Sequence, residues 1–162
     1  MTKKLRLLIL CFMLSISNAV FAQNKVGWLE DVVLSDGNFK LVAKMDTGAD
    51  HSAVNASNIQ VFEQNNQSWV RFDLHNRWGQ SIRLEKPVVR LARVKMKNGG
   101  VQERMVVEMG LCLNSIVKNA HVSLVDRSHF KYQMLVGRSF LQSDFVVDAG
   151  AKFIQEKTCS KL

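Results

Sequence analysis

Two apolar segments that each run into a glycine-containing turn constrain the fold more than any other feature of the sequence. Residues 39–45 (FKLVAKM) alternate apolar and polar side chains and lead directly into D-T-G-A at residues 46–49. Far downstream, QMLVG ends in Gly137-Arg138, and residues 139–141 have the look of a helical turn. Alternation with a period of two is typical of a strand with one buried face. Both turns are therefore predicted to follow strands.

The other apolar segments are also of strand length. Residues 59–74 predict two strands around a polar turn at residues 64–67, and residues 89–109 predict a hairpin, because Asn98-Gly99 accepts the positive φ angles of a tight turn. Residues 121–125 and 144–154 add further strands. Pro87 is expected to start a strand, where its missing N–H removes no interior hydrogen bond. With 162 residues and 47% hydrophobic content, the chain predicts one mainly β domain.

The N-terminal segment has the pattern of a secretory signal. Lys3, Lys4 and Arg6 precede an apolar run at residues 7–16, and the segment closes on small residues around Ala22. The run is shorter than the roughly 20 residues needed to cross a bilayer. We therefore expect a signal peptide at residues 1–22, a mature domain at residues 23–162 and a periplasmic or secreted protein without stable membrane insertion. An uncleaved N-terminal membrane anchor is the alternative.

Export changes the interpretation of the cysteines. Cys11 lies within the signal, which leaves Cys112 and Cys159 in the mature chain. Two thiols in an oxidising compartment favour a disulfide. Their spacing does not show whether they approach each other, so two buried free thiols remain the alternative.

The charge of the chain favours acidic partners. The formal net charge is +8, although three of the basic residues belong to the signal. Because the remaining basic residues are scattered along an exported chain, nucleic acid is not expected as a partner.

The two glycine-containing turns, in this order and separated by one β domain, resemble those of the retropepsin-like aspartic proteases. The segments VAKMDTGADHSAVNA, WVRFDL, ERMVVE, LVDRSHFKYQMLVGRSFL and VVDAG are similar to one bacterial branch of that fold, over about residues 40–154. Members of this branch carry the label ATP-dependent zinc protease, and some act beside RimK-type glutamate ligases and trim glutamyl tails. That partnership is cytoplasmic, whereas residues 1–22 indicate export, so we expect acidic peptides rather than glutamyl tails in particular.

The resemblance implies a mainly β, single-lobe, closed β-barrel with one short helix after the G-R turn. It also implies a homodimer. Asp46 takes the catalytic position, Thr47 and Gly48 fix its loop, and Gly137 and Arg138 form the supporting turn.

The chemistry of such a site needs two carboxyl groups. One carboxylate activates a water molecule while the other carboxyl group protonates the carbonyl oxygen, and two close Asp side chains can share the one proton this requires. Asp148, in D-A-G after an apolar strand, looks like a second such residue, but only residues 149–162 follow it. We therefore expect Asp148 to belong to a terminal strand and the second acid to be Asp46 of a second subunit.

The same resemblance suggests how a substrate is held. Ala49 and Asp50 lie next to the catalytic turn, and Arg104 and Arg127 can bind acidic side chains as forked donors. Residues 97–100 (KNGG) form the candidate flap over the substrate. An ordinary surface hairpin and ordinary surface arginines are the alternatives.

A second expected contact supports the catalytic loop. In the retropepsin pattern an acid and an arginine face each other beneath this loop, which predicts an ion pair between Asp50 and Arg138. If that pair is buried, losing one partner should cost about 3–5 kcal/mol.

Neither zinc nor ATP is supported by the residues. The chain has no G-x-x-x-x-G-K-[ST] and no H-E-x-x-H, and its four histidines are scattered. We therefore expect no metal and no cofactor. The sequence predicts an exported aspartic endopeptidase, and the alternative is an exported peptide-binding β module that keeps the fold without turnover.

Overall fold

The computed structural model describes residues 23–95, 99–156 and 159. The predicted signal at residues 1–22 lies outside this part of the chain. No helix within the described residues has the length and apolar character needed to cross a membrane.

The described part of the chain forms ten β-strands, one short α-helix and one turn of 3₁₀-helix at Asp36–Asn38. In chain order these are β1 (Asn24–Leu34), β2 (Phe39–Asp46), β3 (Ser52–Asn55), β4 (Ser57–Gln64), β5 (Gln67–His75), β6 (Ser81–Lys95), β7 (Val101–Leu113), β8 (Ile116–Val125), β9 (Met134–Gly137), α1 (Arg138–Leu141) and β10 (Phe145–Lys152). The prediction of a mainly β chain with a short helix after Gly137 is confirmed.

The strands form a sheet that closes on itself. Their order is β10-β1-β2-β9-β3-β8-β7-β6-β5-β4, and β1 also pairs with β7. This extra pairing joins β1, β2, β9, β3, β8 and β7 into a ring. Within the ring β2 runs parallel to its neighbour β9, so the two predicted turns leave the sheet at the same end.

The core lies inside this ring and follows from the alternation in β2. Phe39, Leu41, Ala43 and Met45 are all buried, whereas the residues between them are partly or fully exposed. Full burial of an aliphatic or aromatic side chain of this size stabilises the fold by about 1.5–3 kcal/mol. Register is therefore strongly specified here, because a slip of one residue would turn these side chains toward solvent.

The β4–β5 and β6–β7 hairpins have the expected turn chemistry. Asn65 and Asn66 connect β4 to β5 with φ angles of 53° and 57°, which asparagine tolerates better than most residues. In the second hairpin Gly99 has a φ of 83°. The rest of the predicted tip, at residues 96–98, lies outside the described residues.

Pro87 does not start a strand, as the sequence suggested, but lies inside β6. Pro87 is paired with Trp69 of β5, and the next residue, Val88, is paired with Val107 of β7. The strand therefore changes partner at the proline. A missing N–H is tolerated there because the continuous ladder is already interrupted.

β1 was not predicted, and Glu30 explains why. This carboxylate is fully buried among the apolar side chains of β1. It accepts hydrogen bonds from Gly27 N (2.6 Å), Ile154 N (2.9 Å) and Gln155 Nε2 (3.1 Å). A buried charge is tolerated when it is hydrogen-bonded in this way, so Glu30 ties the C-terminal segment to β1.

A disulfide fixes the same segment. Cys112, buried in β7, is bonded to Cys159, and their Cα atoms are 6.0 Å apart. This separation lies within the ordinary range for a disulfide.

Candidate active site

Asp46 is the last residue of β2, and its carboxylate is held by its own turn. Gly48 N–H donates to Asp46 Oδ1 at 3.1 Å, and Ala49 N–H donates to the Asp46 carbonyl at 3.2 Å. Thr47 and Gly48 are exposed, and Asp46 is partly exposed. The turn therefore presents a carboxylate whose outer oxygen is open to solvent or a ligand.

The G-R turn clamps this loop from the other side. Asp46 is in register with Gly137 across the β2–β9 pair. The next two backbone N–H groups donate into the loop, Arg138 N to the Ala49 carbonyl and Ser139 N to the Asp50 carbonyl, both at 2.9 Å. Hydrogen bonds between the loop and the start of α1 therefore fix where Asp46 points.

Gly137 is required by close approach rather than by backbone conformation. Its φ is −86°, which any residue can adopt. A Cβ added there would lie 2.6 Å from the carbonyl carbon and oxygen of His51. Any side chain at this position would push the Asp46 loop away from β9.

Arg138 also contacts the loop through its guanidinium. Nη1 donates to the Thr47 carbonyl at 2.9 Å, and Nη2 forms the predicted ion pair with Asp50 Oδ1. The two side chains are 47% and 74% exposed. The large loss of stability expected on removing one partner of a buried pair therefore does not apply here, because an exposed pair contributes only about 0–1 kcal/mol.

Arg127 lies near both Arg104 and Asp46. Burial and the positive charge of Arg104 lower the pKa of Arg127, while the Asp46 carboxylate acts in the opposite direction. Burial also lowers the pKa of Arg104. Both remain protonated at any physiological pH. Two neighbouring, partly desolvated cations, one of them near Asp46, create a site that favours an anionic group.

The hydrogen bonds of these arginines are to neutral groups. Arg104 Nε and Nη2 donate to Gln102 Oε1 at 2.9 and 2.8 Å, and Arg127 Nε donates to the Tyr132 carbonyl at 3.2 Å. Asn55 Oδ1 holds the backbone N–H of Arg127 at 2.6 Å. Within the described residues neither guanidinium has a carboxylate ion-pair partner, so both charges are available to a substrate.

The candidate flap is the far end of the β6–β7 hairpin. Arg104 lies on β7 in this hairpin, paired with Ala92 of β6. Of the predicted flap residues, Gly99 and Gly100 are described, whereas Lys97 and Asn98 lie outside the described part.

The proximity of His51 and His121 was not predicted from the sequence. His51 follows Asp50 in the loop and His121 lies on β8, and their rings are 6.5 Å apart. With Glu108, Asn119 and Ser139 they line a pocket of about 180 Å³. Burial, then Arg90 and His121, lower the pKa of His51. Residues from four segments meet here, and no local pattern in the sequence marks them.

The arrangement of these side chains bears on metal binding. Within residues 23–95, 99–156 and 159, no group of three or more His, Cys, Asp or Glu residues is placed to hold a metal ion.

Asp148 lies on β10, where it is paired with Gly27 of β1 rather than with β2 or β9. It forms an ion pair with Lys25 at 2.8 Å, and Gly150 N–H donates to its Oδ1 at 2.8 Å. These two hydrogen bonds, the one from Lys25 first, hold the pKa of Asp148 below its usual value. Asp148 is thus part of a strand, as the sequence analysis expected.

The sequence and the fold are similar to those of known proteins. A model of the family described as RimB-like, retropepsin-like aspartic endopeptidase RimB, matches residues 25–158. A structure of a protein of unknown function (DUF785) from Legionella pneumophila has a TM-score of 0.71 and 29% identity, covering 83% of this chain and 100% of that one.

Curated relatives are longer proteins. Two named probable alpha-L-glutamate ligase, from Shewanella halifaxensis and Desulfotalea psychrophila, are each 30% identical, over 114 and 109 residues. The matches cover 68% and 65% of this chain but 25% and 24% of those proteins. The chain thus spans about a quarter of the length of the curated relatives it matches.

Proposed function

Because the chain belongs to the RimB-like family of retropepsin-like aspartic endopeptidases, we propose that it hydrolyses peptide bonds with Asp46 as a catalytic acid. The observation that carries this proposal is the position of Asp46 at the end of β2. Gly48 holds its carboxylate, and the backbone of Arg138 and Ser139 clamps its loop. These hydrogen bonds fix the position of one partly exposed carboxylate.

The reaction needs a second carboxyl group beside the first. One carboxylate takes a proton from water as the water oxygen attacks the peptide carbon, and the protonated partner gives its proton to the carbonyl oxygen. Collapse of the tetrahedral species then breaks the C–N bond, the proton taken from water passes to the leaving amine, and one hydroxyl group of the diol returns a proton to the carboxylate that gave one. Two such groups titrate as one unit.

A homodimer supplies the second carboxyl group in this proposal. The sequence has a single D-T-G, at residues 46–48. Asp148, the other candidate, is held by Lys25. A two-fold axis beside the β2 turn would place Asp46 of each subunit in one shared site, since the same surface meets itself in such an assembly.

The proposed substrate is a peptide with acidic residues near the scissile bond. Arg104 and Arg127 support this, because their guanidinium groups are partly desolvated and have no carboxylate ion-pair partner among the described residues. Forked donors of this kind bind carboxylates in pairs of hydrogen bonds. The names of the curated relatives, probable alpha-L-glutamate ligases, point to glutamate as the acidic residue.

The proposal includes export. The signal pattern of residues 1–22 supports it, and so does the Cys112–Cys159 disulfide, since such bonds persist mainly in oxidising compartments. N-terminal sequencing of periplasmic protein should begin at residue 23.

Asp46→Asn tests the catalytic role. Asparagine keeps the size of the side chain but cannot share the proton, so cleavage of a glutamate-rich peptide library should be lost while the melting temperature stays within about 2 °C, as expected of a surface change. Binding without cleavage by both proteins would instead favour the peptide-binding β module.

Subunit mixing tests the shared site. Wild type and Asp46→Asn protein are unfolded and refolded together, so that subunits assort at random. If both Asp46 residues are needed, activity should fall as the square of the wild-type fraction. A linear fall, or full activity in a protein shown to be monomeric, would refute the shared site.

A further inference from the structure

A second pocket, separate from the catalytic turn, has the features of a binding site. It has a volume of about 350 Å³, which lies in the range of small-ligand sites. Its floor is formed by Leu29, Leu41 and Val42 of β1 and β2. Its walls come from the β5–β6 turn, the segment that enters β9, and the end of β10.

Cations surround this pocket without acidic partners. It is lined by Arg77, Lys131 and Lys152, and none of its described lining residues is an aspartate or a glutamate. Within the described residues none of the three forms an ion pair. By contrast, the pocket lined by Glu30, Asp31 and Lys40 has its own acids. The unbalanced charge therefore belongs to this pocket in particular.

Aromatic faces hold these cations at the rim. Arg77 lies 5.5 Å from the ring centre of Phe153, Lys131 lies 5.7 Å from that of Tyr132, and Lys152 lies 5.0 Å from that of Trp28. Such contacts position a cation but leave its N–H groups free to donate. An apolar floor beneath a ring of donors suits a side chain with a hydrocarbon stem and a carboxylate end.

The pocket adjoins the proposed substrate site through one segment. Tyr132, which lines the pocket, has its carbonyl held by Arg127, and Arg127 lies near Asp46. Val42 precedes Asp46 by four residues on β2, which corresponds to about 13 Å along a strand. An extended peptide needs only about four residues to cover that distance.

We propose that this basic pocket binds a carboxylate-rich segment of a peptide, as an accessory site beyond the catalytic turn. Its use by a substrate rests on the proposed function, whereas the binding itself does not. Shape and charge are the basis: three unpaired cations, an apolar floor and a spacing that a short extended peptide can bridge.

Calorimetry on the Asp46→Asn protein tests the binding without turnover. The probe is hexaglutamate at about 0.1 M salt, where charges more than about 10 Å apart are largely screened, and the background carries Arg104→Gln and Arg127→Gln so that the catalytic side contributes little. Adding Arg77→Gln, Lys131→Gln and Lys152→Gln should weaken binding about tenfold, as expected for three exposed charge contacts.

The matched control removes three charges elsewhere. Lys25→Gln, Arg71→Gln and Arg93→Gln break exposed ion pairs with Asp148, Glu85 and Glu103, and they should change hexaglutamate binding less than threefold, because screening weakens distant charges. Equal weakening by both triple variants would overturn the proposal, because it would show a diffuse charge effect. Absence of measurable hexaglutamate binding would also overturn it. A thymidine hexanucleotide that binds as tightly as hexaglutamate, with the same loss in the pocket variant, would replace the acidic peptide by a nucleic acid.

Kinetics then separates the accessory site from catalysis. In the wild-type background, the pocket triple variant should raise KM for a ten-residue acidic peptide and leave kcat/KM unchanged for one of four residues. Loss of both activities to the same degree would overturn the accessory role. Retained hexaglutamate binding by a protein that cleaves neither peptide would refute the proposed function alone.

Discussion

Replacing Gly137 by alanine should impair catalysis without removing any group that reacts. The added methyl would lie 2.6 Å from the His51 carbonyl, whereas ordinary contact begins at 3.4 Å. The loop must therefore move by about 0.8 Å relative to β9, or the strands must separate. Because the Arg138 and Ser139 N–H groups hold the same loop, the displacement should reach Asp46. A misplacement of about 1 Å can reduce turnover about 100-fold, and overpacking of this kind costs about 1–3 kcal/mol of stability.

The assay compares kcat for an acidic peptide with the denaturant midpoint of each variant. Gly110→Ala is the matched control, because its added methyl meets the side chain of Ser35 on another part of the sheet. We expect both variants to lose stability but only Gly137→Ala to lose at least tenfold in kcat. If the two variants lose stability equally and kcat is unchanged in both, the G-R turn does not position Asp46.

Three further changes test other contacts. Cys159→Ser should cost about 4 kcal/mol by the chain-entropy relation for a 47-residue separation, measured by urea unfolding; a loss below 1 kcal/mol, or a further loss on adding dithiothreitol, would contradict it. Arg138→Ala should lower stability by no more than about 1 kcal/mol, since its ion pair with Asp50 is exposed, yet reduce kcat; a loss of 3 kcal/mol would show that the pair is buried in the assembly. Hydrogen bonds from Arg83 and then Asn58 depress the pKa of Asp73; its contribution is therefore present above the unfolded pKa of about 4 and is lost as pH falls through the folded pKa. The melting temperature of wild type should accordingly fall more steeply below pH 4 than that of Asp73→Asn, and parallel curves would exclude this linkage.

The turn that carries Asp46 could be predicted from sequence because its signals are local. The alternation in residues 39–45 specifies a half-buried strand, and D-T-G-A after it specifies the turn. Likewise Gly137 and Arg138 follow an apolar run, and the helix begins at once. Each of these elements depends on neighbours within a few residues, so the pattern and the structure agree.

The structural features that sequence did not predict depend on residues far away in the chain. β1 contains Glu30, and two of the three hydrogen bonds that its buried carboxylate accepts come from the backbone N–H of Ile154 and the amide of Gln155, more than 120 residues away. Pro87 lies inside β6 because that strand exchanges β5 for β7 at this point. No single segment of the sequence contains either piece of information.

The same limit applies to both pockets. Arg77, Lys131 and Lys152 come from three separate segments, and the sheet order alone brings them together. His51 and His121 meet because β3 runs parallel to β8. Scattered histidines and lysines in a sequence therefore say little about sites, even when the fold around them is predictable.

Asp46 and Asp148 show that the surroundings of a turn, rather than the turn itself, decide which aspartate can act as an acid. Each accepts a hydrogen bond from the glycine two residues later, at 3.1 Å for Asp46 and 2.8 Å for Asp148. Asp148, however, is paired with Lys25, which holds its carboxyl group ionised, and a carboxylate held ionised is a poor partner for sharing a proton. Lys25→Gln should therefore leave kcat within twofold of wild type at every pH, because it frees a carboxylate that takes no part in the reaction. A change in kcat or in its pH profile would bring Asp148 into the site and replace the pairing of two Asp46 residues by a pairing within one chain.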